Sequence, residues 1–223
     1  GAMNILCTDK TGTLREDRIV LEKYLNIKGE EDTRVLKHAF LNSYFQTGLE
    51  GSIDEAIVKR VKKTELKGIE ENYEKVDEIP FDFSRRRLSV VVSDGKKKQL
   101  ITKGAVEEIL SICTMVDYKG EVSDITKEIK QNILSITKEL NKQGLRVVAV
   151  AQKNDITNVK DFSVKDESKM VLMGFIGFLD PPKESAKEAI ERLNKDSIRV
   201  IVLTGDNEYV TKAICDKVNI NTD

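Results

Sequence analysis

The sequence predicts an α/β protein in which an α+β domain with an antiparallel sheet interrupts a second domain built on parallel strands. Two observations lead to this prediction. Strand-then-helix patterns occupy the two ends of the 223-residue chain, and alternation of strands with helices is typical of parallel sheets. Between them, short strands joined by a tight-turn signal indicate antiparallel pairing. We therefore assign residues 4–20 and 172–223 to the outer domain and residues 21–171 to the inserted domain.

The outer domain begins with a short apolar strand, Asn4–Cys7, which a turn-rich stretch, Thr8–Thr13, follows directly. The most apolar run of the chain is Val171–Leu179. It is too short to cross a membrane, which takes about 20 apolar residues, and it predicts a buried strand. The helix predicted after it has its apolar residues at i, i+3, i+4 and i+7: Ala186, Ala189, Ile190 and Leu193.

A further strand is predicted over Ile198–Leu203, whose nearly continuous apolar character is typical of a parallel sheet covered on both faces. It ends at the polar segment Thr204–Asn207. A helix follows, with one apolar face made of Val210, Ala213, Ile214 and Val218. The two ends of the chain must meet in space to complete one sheet.

The inserted domain begins with a helix predicted over Thr33–Phe45. Two strands, Leu88–Val92 and Gln99–Lys103, are joined by Ser93–Gly95, a hairpin signal. The remaining predictions are a short helix from Val106 to Cys113, a long helix from Ile125 to Leu140 that ends near Gly144, and a strand from Leu145 to Ala151.

Composition excludes several classes of function. Lys and Arg number 37 against 38 Asp and Glu, so the chain lacks the basic excess of a nucleic-acid-binding protein. The three cysteines are far apart, with neither a CxxC motif nor a histidine cluster. This spacing argues against a disulfide framework or a zinc site and is typical of a protein from the reducing cytosol.

Three aspartates, Asp9, Asp180 and Asp206, each follow an apolar strand of the predicted outer domain. Ligand sites of open α/β sheets form outside the carboxyl ends of the strands. Carboxylates there are suited to Mg²⁺, which prefers oxygen ligands, and a carboxylate can also act as a nucleophile. The alternative is that each aspartate caps a helix, and for Asp206 alone the two interpretations are equally supported.

The segment Asp9–Thr13, DKTGT, resembles the phosphorylation motif of the P-type ATPases. Lys103–Ala105, Asp180–Pro182 and Thr204–Asp206 match further motifs of this family, in the family's order. The resemblance covers essentially the whole chain. It implies that the outer domain is part of a haloacid dehalogenase-like, Rossmannoid phosphorylation domain and that the inserted domain binds nucleotide.

The resemblance also implies roles for the residues at the strand ends. Asp9 would form an aspartyl-phosphate, and its carboxylate together with the main-chain carbonyl of Thr11 would hold Mg²⁺. Asp180 would support this site and its contact with the nucleotide domain. The predicted phosphate-binding residues are Lys10, Thr11, Thr204, Gly205 and Asp206.

Thr11 discriminates between two functions. Soluble phosphatases of similar fold usually carry a second aspartate two residues after the nucleophile, which serves as general acid and base. Thr11 cannot do this, so we expect slow hydrolysis of the phosphoenzyme, as a pump requires. The alternatives are a free-standing haloacid dehalogenase-like phosphatase, which Thr11 disfavours, and a non-catalytic nucleotide-sensing module, which Asp9 disfavours.

For the nucleotide, the resemblance implies that Phe81 stacks on adenine, with Phe83 a second candidate. The alternative is a core position, and we expect at least one of the two rings to be in the core. Arg86 would contact the phosphates, although an arginine run in a loop is usually a solvated surface. The acidic residue that many relatives place near adenine has no clear register within Gly48–Asp54.

Four more residues are predicted to contact the nucleotide. Lys103 ends a predicted strand and Gly104 follows it, where a small residue would let adenine approach the backbone. Arg146 would reach the phosphates. The complete predicted set is Phe81, Arg86, Lys103, Gly104, Arg146 and Asp180.

The sequence of Phe81–Val90 is most similar to that of the bacterial magnesium-importing class. This similarity implies ATP and Mg²⁺ as cofactors, and the membrane-embedded transport domain and the actuator domain of the same full-length chain as partners. The chain would lie on the cytosolic side of a bacterial cell membrane. The family's GDGxxND motif is expected after Asp206, but the sequence stops at Asp223. We therefore expect ATP binding with inefficient self-phosphorylation.

Overall fold

The computed structural model of the chain describes residues 4–9, 13–14, 18–48, 51–154, 156, 161–205 and 207–222. The chain divides into two compact units. The first unit contains residues 1–20, 138–146 and 178–223, and the second contains residues 21–137 and 147–177.

The strands of the described residues are β1 (Ile5–Asp9), β2 (Val20–Asn26), β3 (Glu74–Asp82), β4 (Arg87–Ser93), β5 (Lys98–Ala105), β6 (Cys113–Tyr118), β7 (Glu121–Asp124), β8 (Leu145–Lys153), β9 (Met170–Leu179) and β10 (Arg199–Leu203). The α-helices are α1 (Thr33–Phe45), α2 (Ser52–Val61), α3 (Val106–Ile112), α4 (Lys127–Lys142), α5 (Glu184–Lys195) and α6 (Glu208–Lys217). Short 3₁₀ helices cover Ile69–Asn72 and Val164–Asp166. None of the described helices is long and apolar enough to span a bilayer.

The second unit is built on an eight-stranded sheet in the order β3-β4-β5-β8-β9-β6-β7, with β2 paired to β9. The hairpin predicted between β4 and β5 is confirmed, with Val90 opposite Ile101. The prediction of an antiparallel sheet is wrong in one respect, because β6 and β9 run parallel. Strands β6 and β9 are far apart along the chain, so the segment between them can cross over and return in the same direction.

Helix α1 packs on strands β4 and β5 and on helix α2. Its N-cap is Asp32, whose side chain accepts a hydrogen bond from the N–H of Arg34, which is a favoured helix start. A large apolar core in the same unit includes Val91, Leu100 and Phe175, none of which is exposed. Successive residues of a strand point to opposite faces, so the sheet separates this core from the polar groups that α1 places over it.

The first unit contains β1 and β10, which pair in parallel as predicted, with Asp9 opposite Leu203. Helices α5 and α6 contribute Ile190, Val210 and Ile214 to its core. The expectation that both faces of β10 are covered does not hold for the described residues, since Leu203 is more than half exposed.

The boundary between the units differs from the predicted one. Strand β9 was assigned to the outer domain from residue 172 onward, but it pairs with β6 and β2 within the eight-stranded sheet. Only its end, from Phe178, belongs to the first unit, which also takes residues 138–146 from the predicted inserted domain. Apolar character predicted a buried strand correctly, but it does not specify which sheet the strand joins.

Candidate nucleotide site and phosphoryl-acceptor edge

Two phenylalanines lie at and just beyond the end of the edge strand β3. The side chains of Phe81 and Phe83 are 51% and 86% exposed, and their ring centroids are 5.3 Å apart with the ring planes at 85°. The expectation that at least one of them lies in the core is therefore wrong. Exposing two large apolar rings side by side costs hydrophobic free energy, and such a surface is typical of a binding site.

The turn that follows these rings is fixed by Asp82. Its carboxylate accepts hydrogen bonds from the N–H groups of Ser84 and Arg85, both at 2.9 Å, and from the Ser84 hydroxyl. Donation by that hydroxyl, followed by the Arg85 N–H, lowers the pKa of Asp82. Arg86 adopts a left-handed φ of 50° and its side chain is exposed. The position of Arg86 leaves its guanidinium accessible to a ligand.

A buried carboxylate anchors the same turn from the other side. The side chain of Glu167 is 0% exposed and lies 2.7 Å from Arg85 Nη1 and 2.8 Å from Arg87 Nε. Ser89 Oγ donates to it at 2.7 Å, and Arg85 Nη2 also donates to the carbonyl of Pro80 at 2.7 Å. The three arginines therefore differ in role: Arg85 and Arg87 hold the turn in place, and only Arg86 faces solvent.

Gly104 lies opposite this turn for a steric reason. A Cβ at this position would be 2.5 Å from the carbonyl oxygen of Arg86 and 2.6 Å from the Cβ of Arg87. The N–H of Ala105 donates to the same carbonyl at 3.1 Å. Close packing of β5 on the Arg86 turn thus requires glycine, whether or not adenine approaches it.

Lys103 is buried, with 5% of its surface exposed. Its ammonium donates to the Ser43 hydroxyl at the end of α1 and to the carboxylate of Asp54 on α2. Burial lowers the pKa of Lys103, against the effect of the nearby carboxylate. Burial alone would raise the pKa of Asp54, but the adjacent ammonium outweighs it and the net shift is downward.

Asn42 completes the polar lining of this region. It is fully buried, and its Nδ2 donates to the carbonyl of Ile101 at 2.8 Å. Its Oδ1 has no hydrogen-bond partner within the described part of the chain. A buried acceptor without a donor carries a desolvation cost, which a ligand N–H could remove.

The carboxyl ends of β1 and β10 bring two predicted phosphate-site segments together. Asp9 ends β1, and Thr204 and Gly205 directly follow Leu203, its register partner. Asp9 is exposed, as a phosphoryl acceptor must be. The predictions for Lys10, Thr11 and Asp206 lie outside the described residues.

Asp180 and Arg146, two predicted nucleotide contacts, lie together in the first unit. Arg146 Nη1 is 3.7 Å from the carboxylate of Asp180, which is 1% exposed. The interpretation of Asp180 as a helix cap fails, because α5 begins at Glu184 with Lys183 as its N-cap. The cap of α6 is Asn207, whose side chain accepts from the N–H of Tyr209.

A sequence model of the family "P-type ATPase, cytoplasmic domain N" matches residues 46–185, well over half of the chain. The chain belongs to the P-type ATPases. The match covers β3, β4 and β5, on which the exposed phenylalanines and Lys103 lie. It does not favour the free-standing phosphatase.

Named relatives of this P-type ATPase chain include magnesium and calcium transporters. It is 46% identical to "Magnesium-transporting ATPase, P-type 1" of Salmonella typhimurium over 222 residues, and 45% identical to the Escherichia coli K12 protein of that name. It is 26% identical to "Calcium-transporting ATPase 1" of Bacillus cereus over 240 residues. These matches cover 99–100% of the chain. The chain spans only 25–27% of the length of these relatives.

Sequence reasoning left two participants unassigned. Asp54 lies in the segment whose register was unclear, and the helix α2 that orients it was not predicted. Glu167 follows a stretch of polar residues and carries no motif. A lone acid gives no sequence signal of its partner when the partners are about 80 residues away in the chain.

Proposed function

We propose that this chain is the ATP-binding and phosphorylation headpiece of an ATP-driven cation pump that works through an aspartyl-phosphate at Asp9. The observation that supports nucleotide binding is the exposed phenylalanine pair two strands from a buried lysine. The register of β3 on β4 pairs Ile79 with Ser89 and Asp82 with Arg87, so Phe81 lies in the irregular stretch between these two pairs. Leu88, between Ser89 and Arg87 on β4, lies opposite Lys103 of β5. Two strand spacings separate β3 from β5 by about 10 Å, a distance that a nucleotide base and its sugar can bridge.

The polar groups suit adenine. A phenylalanine ring offers its face to the base, and base–aromatic stacking contributes roughly 1–3 kcal/mol. The ionised Asp54 can accept a further hydrogen bond, for which the amino group of adenine is a donor. Guanine has a carbonyl in that position, so it would face the same carboxylate with a second acceptor. The exposed Arg86 is the proposed contact for the phosphates.

ATP titration of the 223-residue chain tests this site. Substitution of Phe83, the more exposed ring, by Ala is expected to raise the Kd for ATP roughly ten-fold, and Phe81→Ala and Lys103→Met should also weaken binding. GTP should bind more weakly than ATP. Tyr209→Ala, on the first unit, is the matched control and should leave the Kd unchanged. Unaltered binding in both phenylalanine variants would refute the site.

The proposed reaction at Asp9 is a direct displacement. A carboxylate oxygen of Asp9 attacks the γ-phosphorus, the bond from that phosphorus to the bridging oxygen breaks, and ADP leaves with the electron pair. The Thr204 hydroxyl and the Gly205 N–H would hold the phosphoryl oxygens. Proximity of both segments to Asp9 at the end of parallel strands supports these roles.

Mg²⁺ would neutralise phosphate charge during this transfer. Among the described residues, no group of three or more His, Cys, Asp or Glu side chains could hold a metal ion. Mg²⁺ usually binds one or two carboxylates together with substrate phosphates and water. Asp9 would supply the carboxylate, and Thr11 is the proposed source of a carbonyl ligand.

We propose Mg²⁺ import as the pump's activity, because the magnesium-transporting relatives are 42–46% identical and the calcium-transporting ones 26–28%. The first unit would then be part of a haloacid dehalogenase-like domain on the cytosolic side of a bacterial membrane. Actuator and membrane-embedded domains of the same chain would be its partners. Mg²⁺ uptake by cells that express the full reading frame tests this, and a preference for Ca²⁺ would overturn it.

A further inference from the structure

A polar cavity of about 360 Å³ lies in the second unit, away from the residues assigned to ATP. It is formed by the first turns of α1, by the hairpin end of β4 and β5, and by the end of β8. Its volume is at the low end of the range of small-molecule sites, roughly 300–1,000 Å³. The proposed pump function leaves this cavity without a role.

The acidic groups that line the cavity already have donors from the protein. Asp117 accepts two hydrogen bonds from Arg34, at 2.6 and 3.0 Å, and a third from the N–H of Gly120 at 3.0 Å. Asp94 accepts from the N–H groups of Lys96 and Lys97 at 2.9 and 2.7 Å. Arg34 offsets the charge of Asp117, whereas the two backbone N–H groups occupy an oxygen of Asp94 without neutralising it.

A network of side-chain amides orients further N–H donors toward the cavity. His38 Nδ1 lies 2.6 Å from the carbonyl of Arg34, so this nitrogen carries the proton and Nε2 accepts from Gln99 Nε2 at 3.2 Å. Gln99 Nε2 also lies 3.2 Å from Gln152 Oε1 and 2.7 Å from Asn154 Oδ1, so its two N–H bonds are shared among three acceptors. The oxygen atoms of both amides are therefore occupied, and their NH₂ groups remain for a ligand.

Gln152 is the most informative of these residues. It is 4% exposed and lines the cavity, yet its only described hydrogen bond is the one that its oxygen accepts. Its Nε2 is thus available as a donor to a ligand acceptor in the cavity.

Two lysines complete the donor set. Lys37 and Lys97 line the cavity, and neither ammonium has a carboxylate partner among the described residues. Lys37 lies 5.3 Å from the centre of the Tyr73 ring, which holds its long side chain over the cavity wall. The groups that a ligand would meet are thus mainly cations and N–H donors, with Asp94 as the one carboxylate of the lining that lacks a cationic partner among the described residues.

We propose that this cavity binds a small multivalent oxyanion, a phosphate- or carboxylate-bearing metabolite. Two ammonium groups supply charge, and the NH₂ groups of Gln152 and Asn154 supply directional hydrogen bonds. Charge-assisted hydrogen bonds of this kind are the strong ones. With Arg34 paired to Asp117, the two ammonium groups outnumber the one remaining carboxylate of the lining, Asp94, which favours an anionic ligand.

Calorimetric titration of the 223-residue chain with pyrophosphate, and separately with citrate, tests the proposal in the absence of nucleotide and Mg²⁺. We expect saturable binding that the double variant Lys37→Gln/Lys97→Gln weakens at least ten-fold. The matched control, Lys62→Gln/Lys67→Gln, removes two exposed lysines from the segment that follows α2 and should bind as the parent does. Comparison of pyrophosphate with citrate identifies which oxyanion class is preferred.

Two further variants test whether the anion binds in this cavity or at the ATP site. Asn154→Asp at the exposed rim adds a negative charge without burying it and should also weaken binding. Arg86→Gln, at the ATP site, should leave binding unchanged. The proposal is overturned if neither anion binds, if binding survives the Lys37/Lys97 double variant, or if Arg86→Gln abolishes it, since the anion would then occupy the nucleotide site.

Discussion

Several polar side chains on α1, and on the elements α2 and β5 that pack against it, are buried. Lys103 is an example: a lone buried ammonium would be costly, and Asp54 and Ser43 compensate it. Removal of one partner of a buried ion pair typically costs about 3–5 kcal/mol. The same pair offers a ligand a charged donor and acceptor in fixed positions. The residue therefore contributes to stability and to the proposed ATP site at once.

His38 makes stability depend on pH. It is 7% exposed, and burial lowers its pKa from 6.5 to about 4. The unfolded chain therefore binds a proton between pH 6.5 and pH 4 that the folded chain does not, and the free energy of unfolding falls as the pH falls through this window. The contribution of His38 to this fall is about 3 kcal/mol.

The variant His38→Gln isolates this effect, because glutamine does not titrate. Urea unfolding at pH 7 and pH 4.5 should show a smaller loss of stability in His38→Gln than in the parent chain. The carboxylates contribute equally to the loss of stability of both proteins, so their contribution cancels in the comparison. Equal losses would mean that His38 is accessible to protons in the folded chain.

At the level of elements, the turn between β3 and β4 depends on a residue that lies about 80 positions later in the chain. Glu167 bonds Arg85 and Arg87, and these contacts hold the turn that presents Phe83 and Arg86. The loop before β9 thus orients the proposed ATP-binding turn.

Glu167→Gln is expected to lower the free energy of unfolding by about 3 kcal/mol, because two arginines lose their buried counter-charge. It should also weaken ATP binding, although Glu167 does not contact the proposed ligand. Chemical denaturation and ATP titration measure the two effects. The control Glu121→Gln changes an exposed acid on β7 and should alter neither. A stable variant with normal ATP affinity would contradict this role.

Strand β9 pairs with β2, and at Gly174 the two backbones approach too closely for any residue with a side chain. Gly174 has a φ of 154°, and a Cβ there would lie 2.0 Å from the carbonyl oxygen of Leu25. We expect Gly174→Ala to destabilise the fold by more than about 3 kcal/mol, since backbone atoms must move apart. Thermal unfolding measures the loss. Gly48→Ala, where a Cβ meets nothing within 4 Å, should leave the melting temperature nearly unchanged.

In the whole molecule, the proposed nucleotide site and the proposed phosphoryl acceptor belong to different units. The phenylalanine pair and Lys103 lie in the second unit, whereas Asp9 lies in the first. This division predicts that the two activities can be separated by mutation.

Asp9→Asn should leave the Kd for ATP of the 223-residue chain unchanged, because the substitution lies outside the unit that is proposed to hold the base. In the full-length pump, the same substitution should abolish acid-stable labelling from γ-labelled ATP. Binding is measured by titration and labelling by acid quench. Label that persists in Asp9→Asn would show that another residue accepts the phosphoryl group.

The sequence by itself determined what local patterns can encode. The span of α1 was predicted at the residues where it lies, and the β4–β5 hairpin followed from Ser93–Gly95. Asp9 and Thr204 were placed at one edge because their strands are both short, apolar and followed by turns. Family membership followed from DKTGT and the motifs after it.

Only the tertiary structure decided which distant segments meet. It assigned most of β9 to the eight-stranded sheet and exposed both Phe81 and Phe83. It also paired Lys103 with Asp54 and brought Glu167 to the arginine turn. Apolar periodicity shows that a strand is buried but not beside which neighbour, and a charged residue carries no local mark of its partner. Such pairings depend on the packing of the whole unit, which is why the sequence predicted the motifs but not the contacts that position them.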